Sequence, residues 1–322
     1  MKNSHNDDEI KRIFEFTNRE NSNLDSLFGK EINHILIKSN INNPDKQMFL
    51  GPYFFYLCLK NKSQIDKNLI TELGLINAYF WTSFIIYDDA WDKEECFQES
   101  LLPIANFMSR QVYIYYEKAF KQYSFDHKHL LDKADASNYK EIKECRYEVD
   151  IENNRIRISS INKNLYKNYL NKYYPAASHM FGPLIILASL GYNLKSKQVR
   201  VVEAFYKNYL IARQLSDDLT DFISDLKKGH LSTVVHETLM QLKMTSEEYE
   251  IDKLIVVFFE KTLAVICKRI IDHCNLALSE IEKIDIFDNT KYLTASCISI
   301  KICAQKAIND SNKVLGLIDA IG

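Results

Sequence analysis

The sequence predicts an all-α protein built from long helices. Its 322 residues include only 8 Gly and 5 Pro, so sharp turns are few and long helices are favoured over many short strands. Residues with an apolar side chain make up 46% of the chain, which allows a substantial core. Several apolar stretches also keep a helical period, and two of them run into acidic motifs. We expect one domain over residues 1–322, with a frayed or weakly helical start at 1–23.

The composition excludes several classes of partner. A net charge of −2 gives no electrostatic reason to expect binding to nucleic acid or to a membrane surface. No stretch approaches the roughly 18 uncharged apolar residues of a membrane span, so none is expected. The seven cysteines have no CxxC pairing and are odd in number, which is typical of reduced core residues. The N-terminus is polar and lacks the apolar run of a signal peptide, so a cytoplasmic protein is predicted.

The helices follow from apolar periodicity and from turn residues between them. Pro44 marks a turn before an aromatic helix, and the polar stretch 123–138 is predicted to be a loop. One long helix is expected to break near Pro175 and again at Gly182–Pro183, because proline removes a backbone donor and clashes with the preceding turn. The predicted helical segments, in order, are 24–36, 46–60, 65–92, 101–120, 163–190 (broken), 196–227 and an amphipathic remainder over 232–320.

Two acidic motifs end the helices predicted over 65–92 and 196–227. The first reads DDAWD from Asp88, and the second reads DDLTD from Asp217. A single DDxxD motif is expected by chance roughly 0.07 times in a chain of this length, so two favour a function over a merely solvated acidic face. Asp217, Asp221 and Asp225 also lie four residues apart, which stacks them on one helix face. Stacked carboxylates are hard oxygen ligands that suit Mg²⁺. The predicted metal ligands are Asp88, Asp89, Asp92, Asp217, Asp221 and Asp225.

The motif pair resembles that of the class I isoprenoid synthase superfamily, which includes prenyl diphosphate synthases, squalene and phytoene synthases and class I terpene cyclases. The sequence QLSDDLTDF, with Gln214 before the aspartates, resembles the second motif of chain-elongating synthases. The spacing of Asp217, Asp221 and Asp225 is similar to the metal-binding triad of terpene cyclases. The resemblance covers roughly residues 45–235. It implies a single-domain helical bundle around a central cavity, in which several Mg²⁺ ions hold the diphosphate of an allylic substrate.

The resemblance also implies roles for particular residues. Asp88, Asp92 and Asp217 are expected to be catalytic, because ionisation of the substrate depends on the metal that they hold. Basic and amide side chains near the second motif are expected to bind the diphosphate: Arg213, Gln214, Lys227 and Lys228. Aromatic residues one to three helical turns before the aspartates, and at the helix break, are expected to line the cavity, although each could also be ordinary core: Trp81, Phe84, Tyr174 and Tyr206.

The absence of certain basic residues favours one branch of the superfamily over another. Chain-elongating synthases resemble one another in a GKxxRP motif near the N-terminus and an RRG after the first DDxxD. Here the corresponding segments read DKQMFLGP, with Lys46 but no arginine, and KEECFQES, with Glu94 and Glu95. We therefore expect a terpene synthase that acts on farnesyl or geranylgeranyl diphosphate, with a homodimer as an allowed assembly. The alternatives are a chain-elongating or head-to-head prenyltransferase and, outside enzymes, a regulatory helical subunit of a prenyl synthase.

Overall fold

Helices account for nearly all of the regular structure in the computed structural model, which describes residues 4–22, 24, 26–37, 46–91, 97–122, 128–158, 161–242 and 248–321. The predicted all-α fold is confirmed. The helices are Ser4–Asn21 (α1), Ser26–Leu36 (α2), Lys46–Cys58 (α3), Lys67–Trp91 (α4), Leu102–Gln122 (α5), Lys128–Glu144 (α6), Leu170–Ala176 (α7), Phe181–Ser189 (α8), Lys197–Thr220 (α9), Phe222–Lys228 (α10), Thr233–Gln241 (α11), Ile251–Val257 (α12), Leu263–Ile281 (α13) and Lys291–Ile321 (α14).

Three short strands form a small antiparallel sheet that the sequence did not predict. They are Glu148–Asp150 (β1), Arg155–Arg157 (β2) and Glu248–Glu250 (β3), in the order β1-β2-β3. The central positions of the three strands are in register, and Ile156 at the centre of β2 is buried. Strands of three residues are too short to show an alternating apolar pattern, which explains why they were missed.

The chain divides into two compact units, and each is described here by itself. The first comprises Met1–His127, His179–Val202 and Ile284–Leu293. The second comprises Lys128–Ser178, Glu203–Lys283 and Thr294–Gly322. The prediction of one domain over residues 1–322 stays a prediction.

In the first unit, α4 packs against α1, α3 and α5. The segment expected to be frayed is helical over Ser4–Asn21, and its Ile13 is buried. Gly74 of α4 faces Ile13 of α1, and a side chain at this position would require the Cδ1 atom of Ile13 to shift. Burial of its apolar face against α4 therefore stabilises α1, where polarity alone suggested a loose end.

Helix α4 is also the one helix in the described part of the chain that is long and apolar enough to cross a membrane. Within its most apolar stretch, 67% of the residues are buried inside the protein. A core helix of a globular protein passes the same test, because it is also long and apolar. The prediction that the chain has no membrane span stays a prediction.

The helix break predicted near Pro175 is present. Helix α7 ends at Ala176, a 3₁₀ turn covers Ala177–Met180, and α8 begins at Phe181. At the start of α7, Asn168 and Tyr169 both have positive φ angles, of 60° and 54°. Left-handed backbone is unfavourable for residues with a side chain, so neighbouring contacts must hold this segment in place.

The loop predicted over 123–138 is wrong where it can be compared, because residues 128–138 belong to α6. Residues 123–127 lie outside the described residues. The error came from reading polarity as a loop signal, although the Lys, Leu and Ala residues of this segment all favour helix. Lys140 and Glu144 also form an i,i+4 ion pair on this helix, at 3.8 Å.

Candidate functional site

The first acidic motif lies in the first unit, in the last turn of α4. Asp88 is exposed and Asp89 is partly buried, while Asp92 lies outside the described residues. Carboxylates near a helix C-terminus are disfavoured by the negative end of the helix dipole. The last turn of α4 contains no basic residue that would compensate. A bound cation would relieve this repulsion, and the metal-binding role of Asp88 and Asp89 stays a prediction.

A cluster of aromatic rings lies on α4 one to two turns before Asp88. The rings of Trp81 and Phe84 stack with centroids 6.0 Å apart, and Phe80 stacks on Phe84 at 6.5 Å. His179 meets Phe80 edge-on at 5.1 Å and lies 5.6 Å from Trp81. Trp81 and Phe84 are both partly exposed, as residues that line a cavity would be. Their predicted contact with a prenyl chain stays a prediction.

The second acidic motif lies in the second unit, where α9 ends at Thr220 and does not run on to 227 as predicted. Asp221 follows with φ −91° and ψ 3°, and α10 starts at the next residue. Asp217 and Asp221 are exposed, whereas Asp218 is only 8% exposed. The helical repeat explains this division, because positions four apart share a face and the adjacent position is turned away from it.

Two of the predicted diphosphate-binding residues lie in the helical turn before Asp217. The Nε atom of Arg213 is 3.9 Å from a carboxylate oxygen of Asp217, and Gln214 is partly buried. The other two, Lys227 and Lys228, are exposed in the last turn of α10. All four are therefore close in sequence to the motif, and their roles stay predictions.

A glycine turn follows Lys228 and returns the chain to the interior. Gly229 has φ +74°, which favours glycine, and an added Cβ would lie 2.5 Å from the carbonyl oxygen of Tyr147. The Tyr147 N–H donates to the Gly229 carbonyl at 3.0 Å, and the Leu231 N–H donates to Cys145 at 2.8 Å. These bonds tie the turn to the segment after α6 and direct His230 toward that helix.

Sequence reasoning missed a network of five ionisable side chains in the second unit, of which Lys172, Asp218 and Asp225 are buried and Glu141 and His230 are partly buried. The Lys172 ammonium lies 2.9 Å from Glu141 and 3.2 Å from Asp218. His230 places one ring nitrogen 3.2 Å from Asp225 and the other 3.6 Å from Glu141. A signal was available at one position, because Lys172 is the sole charged residue in the aromatic sequence LNKYYPAASHMF. A lone charge in such a stretch indicates a buried partner.

Ion pairs and hydrogen bonds within this network shift the pKa of its members more strongly than burial does. Burial disfavours the charged Glu141 carboxylate, but Lys172 and His230 outweigh it and hold its pKa at about 2. Burial likewise disfavours protonated His230, but hydrogen bonds to Asp225 and Glu141 raise its pKa to about 9. Burial also opposes the charge on Lys172, and Asp218 and Glu141 nevertheless raise its pKa. All three groups are therefore charged at neutral pH.

The two remaining predicted cavity residues differ in their surroundings. Tyr174 of α7 is partly buried, and the ammonium of Lys133 lies 5.0 Å from its ring centroid. Tyr206 of α9 is buried and packs against Phe205 and Tyr209, with ring centroids at 5.2 and 6.4 Å. Tyr206 therefore has the surroundings of a core residue, whereas Tyr174 is partly exposed and its ring carries a cation–π contact.

The chemistry of the predicted metal ligands fits Mg²⁺. Within the described residues, no three His, Cys, Asp or Glu side chains form a preassembled metal cluster. Asp88, Asp217 and Asp221 are nevertheless exposed carboxylates, and oxygen donors are what Mg²⁺ requires. Magnesium also keeps several waters and uses substrate phosphates as ligands, so an open protein site suits it. Asp225 is different, because it is buried and its carboxylate contacts His230.

Comparison with solved structures identifies the fold. The structure of a protein from Corynebacterium glutamicum described as a geranylgeranyl pyrophosphate synthase matches with a TM-score of 0.59 and 12% identity, covering 94% of each chain. The structure of geranylgeranyl pyrophosphate synthase from the same organism, complexed with isoprenyl diphosphate and magnesium, matches with a TM-score of 0.54 and 14% identity, covering 94% of this chain and 96% of that one. A scan against family models and a search of curated proteins each find no match. The chain therefore has a class I isoprenoid synthase-like fold.

Proposed function

We propose that the protein is a magnesium-dependent enzyme that acts on an allylic prenyl diphosphate. The observation that carries this proposal is the position of both DDxxD motifs within an isoprenoid synthase-like fold. Each motif starts in the last turn of a long helix, α4 or α9, and neither of these last turns contains a basic residue. Exposed carboxylates at the C-terminal end of a helix are disfavoured by the helix dipole, and bound divalent cations would stabilise them.

The side chains would divide the work of binding and ionising the substrate. Magnesium, when bound, supplies positive charge that neutralises the diphosphate and makes it a better leaving group. The carboxylates of each motif would hold magnesium, and basic and amide side chains near the second motif would hydrogen-bond diphosphate oxygens. The residues proposed to hold the metal are Asp88, Asp89, Asp92, Asp217 and Asp221, and those proposed to bind the diphosphate are Arg213, Gln214, Lys227 and Lys228.

The aromatic residues would handle the cation that remains after the diphosphate leaves. Water would quench an allylic carbocation, so apolar walls that exclude water are needed. An aromatic face can stabilise a cation by roughly 0.5–2 kcal/mol. Trp81 and Phe84 are suited to this role, because they are partly exposed and lie on the same helix as Asp88. Tyr174 is a further candidate, since its ring face already accepts the Lys133 ammonium.

Within this class we propose a terpene synthase, which converts farnesyl or geranylgeranyl diphosphate alone into a hydrocarbon or alcohol. The support comes from the sequence around the first motif. Binding a second diphosphate requires fixed positive charge, which arginine provides with paired donors. Where elongating synthases have such arginines, this chain has Glu94 and Glu95, which lie outside the described residues. Two carboxylates there would repel isopentenyl diphosphate.

A chain-elongating prenyltransferase is the second candidate, and the structural comparison supports it at least as well. Two of the matching structures are described as geranylgeranyl pyrophosphate synthases, and one of them is complexed with isoprenyl diphosphate and magnesium. A shared fold at 12–14% identity fits both activities, because cyclases and elongating synthases both start by ionising an allylic diphosphate. The two candidates differ in whether isopentenyl diphosphate is consumed.

Product analysis separates the two candidates. Purified protein would be incubated with Mg²⁺ and geranyl, farnesyl or geranylgeranyl diphosphate, with and without isopentenyl diphosphate. Extracts would then be examined by gas chromatography–mass spectrometry, before and after phosphatase treatment. A terpene synthase gives a hydrocarbon or alcohol without phosphatase, and isopentenyl diphosphate does not lengthen it. Longer prenyl alcohols that need both isopentenyl diphosphate and phosphatase would instead establish the elongating prenyltransferase.

A further inference from the structure

The buried carboxylate of Asp218 is fully engaged inside the second unit. One of its oxygens lies 3.2 Å from the Lys172 ammonium, and the other accepts a hydrogen bond at 3.0 Å from the Thr233 N–H at the start of α11. Asp218 is 8% exposed, and the side chain of Lys172 is 5% exposed. Metal coordination by Asp218 would therefore require breaking an ion pair or a helix N-terminal hydrogen bond that lies away from solvent.

Lys172 is the centre of the contacts that hold Asp218. Its ammonium also pairs with Glu141 of α6 at 2.9 Å, so it joins α6, α7 and α9. A buried ammonium is tolerated only when carboxylates surround it, and removing one partner leaves an uncompensated charge. His230 extends the network to Asp225, which is also buried. Two of the four carboxylates between positions 217 and 225 are thereby turned into the interior.

The other two carboxylates are placed differently. Asp217 and Asp221 are exposed, and the backbone N–H of Asp221 donates to the carbonyl of Asp217 at 3.0 Å. This i→i−4 bond keeps the helical spacing between them even though α9 ends at Thr220. Their side chains consequently leave the same side of the helix. If the inward carboxylate of Asp218 were released, the helix end that carries this exposed pair would lose its link to α6 and α7.

We infer that Lys172 is a positioning residue for the second acidic motif. Its ion pair with Asp218 anchors the end of α9, and this anchoring presents Asp217 and Asp221 as the metal-binding pair. The inference rests on the proposed function, because it concerns how magnesium and diphosphate are held. It assigns Asp218 and Asp225 an anchoring role inside the protein.

The test measures magnesium-dependent binding of inorganic diphosphate by isothermal titration calorimetry, together with thermal stability. Four variants are compared with the wild type: Lys172→Met, Lys172→Arg, Asp218→Asn and Asp217→Asn. Lys140→Met is the matched control, because Lys140 lies on α6 and pairs only with Glu144 among the ion pairs of the described residues. Asparagine at 218 can still accept from Thr233, so this variant is expected to fold even if Lys172→Met does not.

The expected pattern separates positioning from coordination. Asp217→Asn should raise the magnesium concentration needed for half-maximal diphosphate binding by about 10-fold or more with little change in melting temperature. Asp218→Asn should lower the melting temperature and shift the magnesium requirement clearly less than Asp217→Asn does. Lys172→Met should lower the melting temperature and raise the magnesium concentration needed for half-maximal binding. Lys172→Arg should bring this concentration part of the way back to the wild-type value, and Lys140→Met should match the wild type.

Two results overturn the inference alone. The first is an equal magnesium shift in Asp218→Asn and Asp217→Asn at unchanged melting temperature, which would make Asp218 a ligand. The second is a Lys172→Met protein that binds magnesium and diphosphate like Lys140→Met. Absence of magnesium-dependent diphosphate binding in the wild type is a different outcome, because it would overturn the proposed function and this inference together.

Discussion

Raising the pH should destabilise the protein through His230. Hydrogen bonds to Asp225 and Glu141 outweigh burial and raise the pKa of this histidine from 6.5 to about 9. A group whose pKa is higher in the folded state stabilises the fold fully below its unfolded pKa and loses that contribution as the pH rises through its folded pKa. The window of loss therefore runs from pH 6.5 to about pH 9.

The size of this effect follows from the linkage between protonation and folding. Each unit of pKa shift corresponds to about 1.4 kcal/mol, so the shift of His230 corresponds to at most about 3 kcal/mol across the window. The side chain of His230 is 19% exposed, so solvent screening reduces the value only modestly. His236 and His273 do not contribute there, because burial lowers the pKa of both.

The measurement is urea unfolding, followed by far-ultraviolet circular dichroism at pH 6.5 and about pH 9 in the presence of EDTA. The free energy of unfolding of the wild type should fall by about 2–3 kcal/mol between these values. His230→Gln is the control, because glutamine keeps hydrogen-bonding capacity without a titrating proton, and its stability should change much less. An equal fall in wild type and His230→Gln would refute the proposed protonation of this network.

Three further predictions concern the motif, the aromatic cluster and the glycine turn. Asp217→Asn should lower turnover by about 100-fold or more with an unchanged circular dichroism spectrum, and wild-type turnover in this variant would contradict its role. Phe84→Ala should alter the product distribution or accepted chain length, measured by mass spectrometry. It should lower the free energy of unfolding by less than the roughly 3–5 kcal/mol lost when a buried core aromatic is cut to alanine. A loss of that size with unchanged products would identify Phe84 as an ordinary core residue. Gly229→Ala should lower the free energy of unfolding by at least about 1–2 kcal/mol, because alanine at φ +74° is strained and its Cβ would approach the Tyr147 carbonyl. Unchanged stability would disprove the need for glycine at this position.

The parts of the fold that the sequence predicted well are those with strong local signals. Helix α4 was expected over 65–92 and is observed over Lys67–Trp91, because a long apolar helical pattern ends in a run of charges. The break near Pro175 was also predicted, because the loss of a backbone donor does not depend on tertiary context. Asp88, Asp217 and Asp221 are exposed, and their predicted metal-binding role stays a prediction.

The parts that the sequence did not predict depend on contacts between distant segments. Lys172, Glu141 and Asp218 lie on three different helices, and only the folded second unit brings their charges together. The helical repeat separates Asp218 from Asp217 and Asp221, but which face turns inward depends on the same contacts. The even spacing of Asp217, Asp221 and Asp225 therefore gave no sign that Asp225 is buried. Sheet strands of three residues likewise gain their stability from pairing partners and not from local propensity.

Release of inorganic diphosphate is the most direct test of the central claim, because every proposed reaction starts by separating this group from an allylic carbon. The wild type would be mixed with geranyl, farnesyl or geranylgeranyl diphosphate, and free diphosphate would be followed with a coupled enzymatic assay in magnesium or in EDTA. The account predicts release from at least one of these substrates in magnesium, none in EDTA, recovery when magnesium is added back, and a large loss in Asp217→Asn. Release that persists in EDTA, or no release from any allylic diphosphate by folded protein with magnesium, would contradict it.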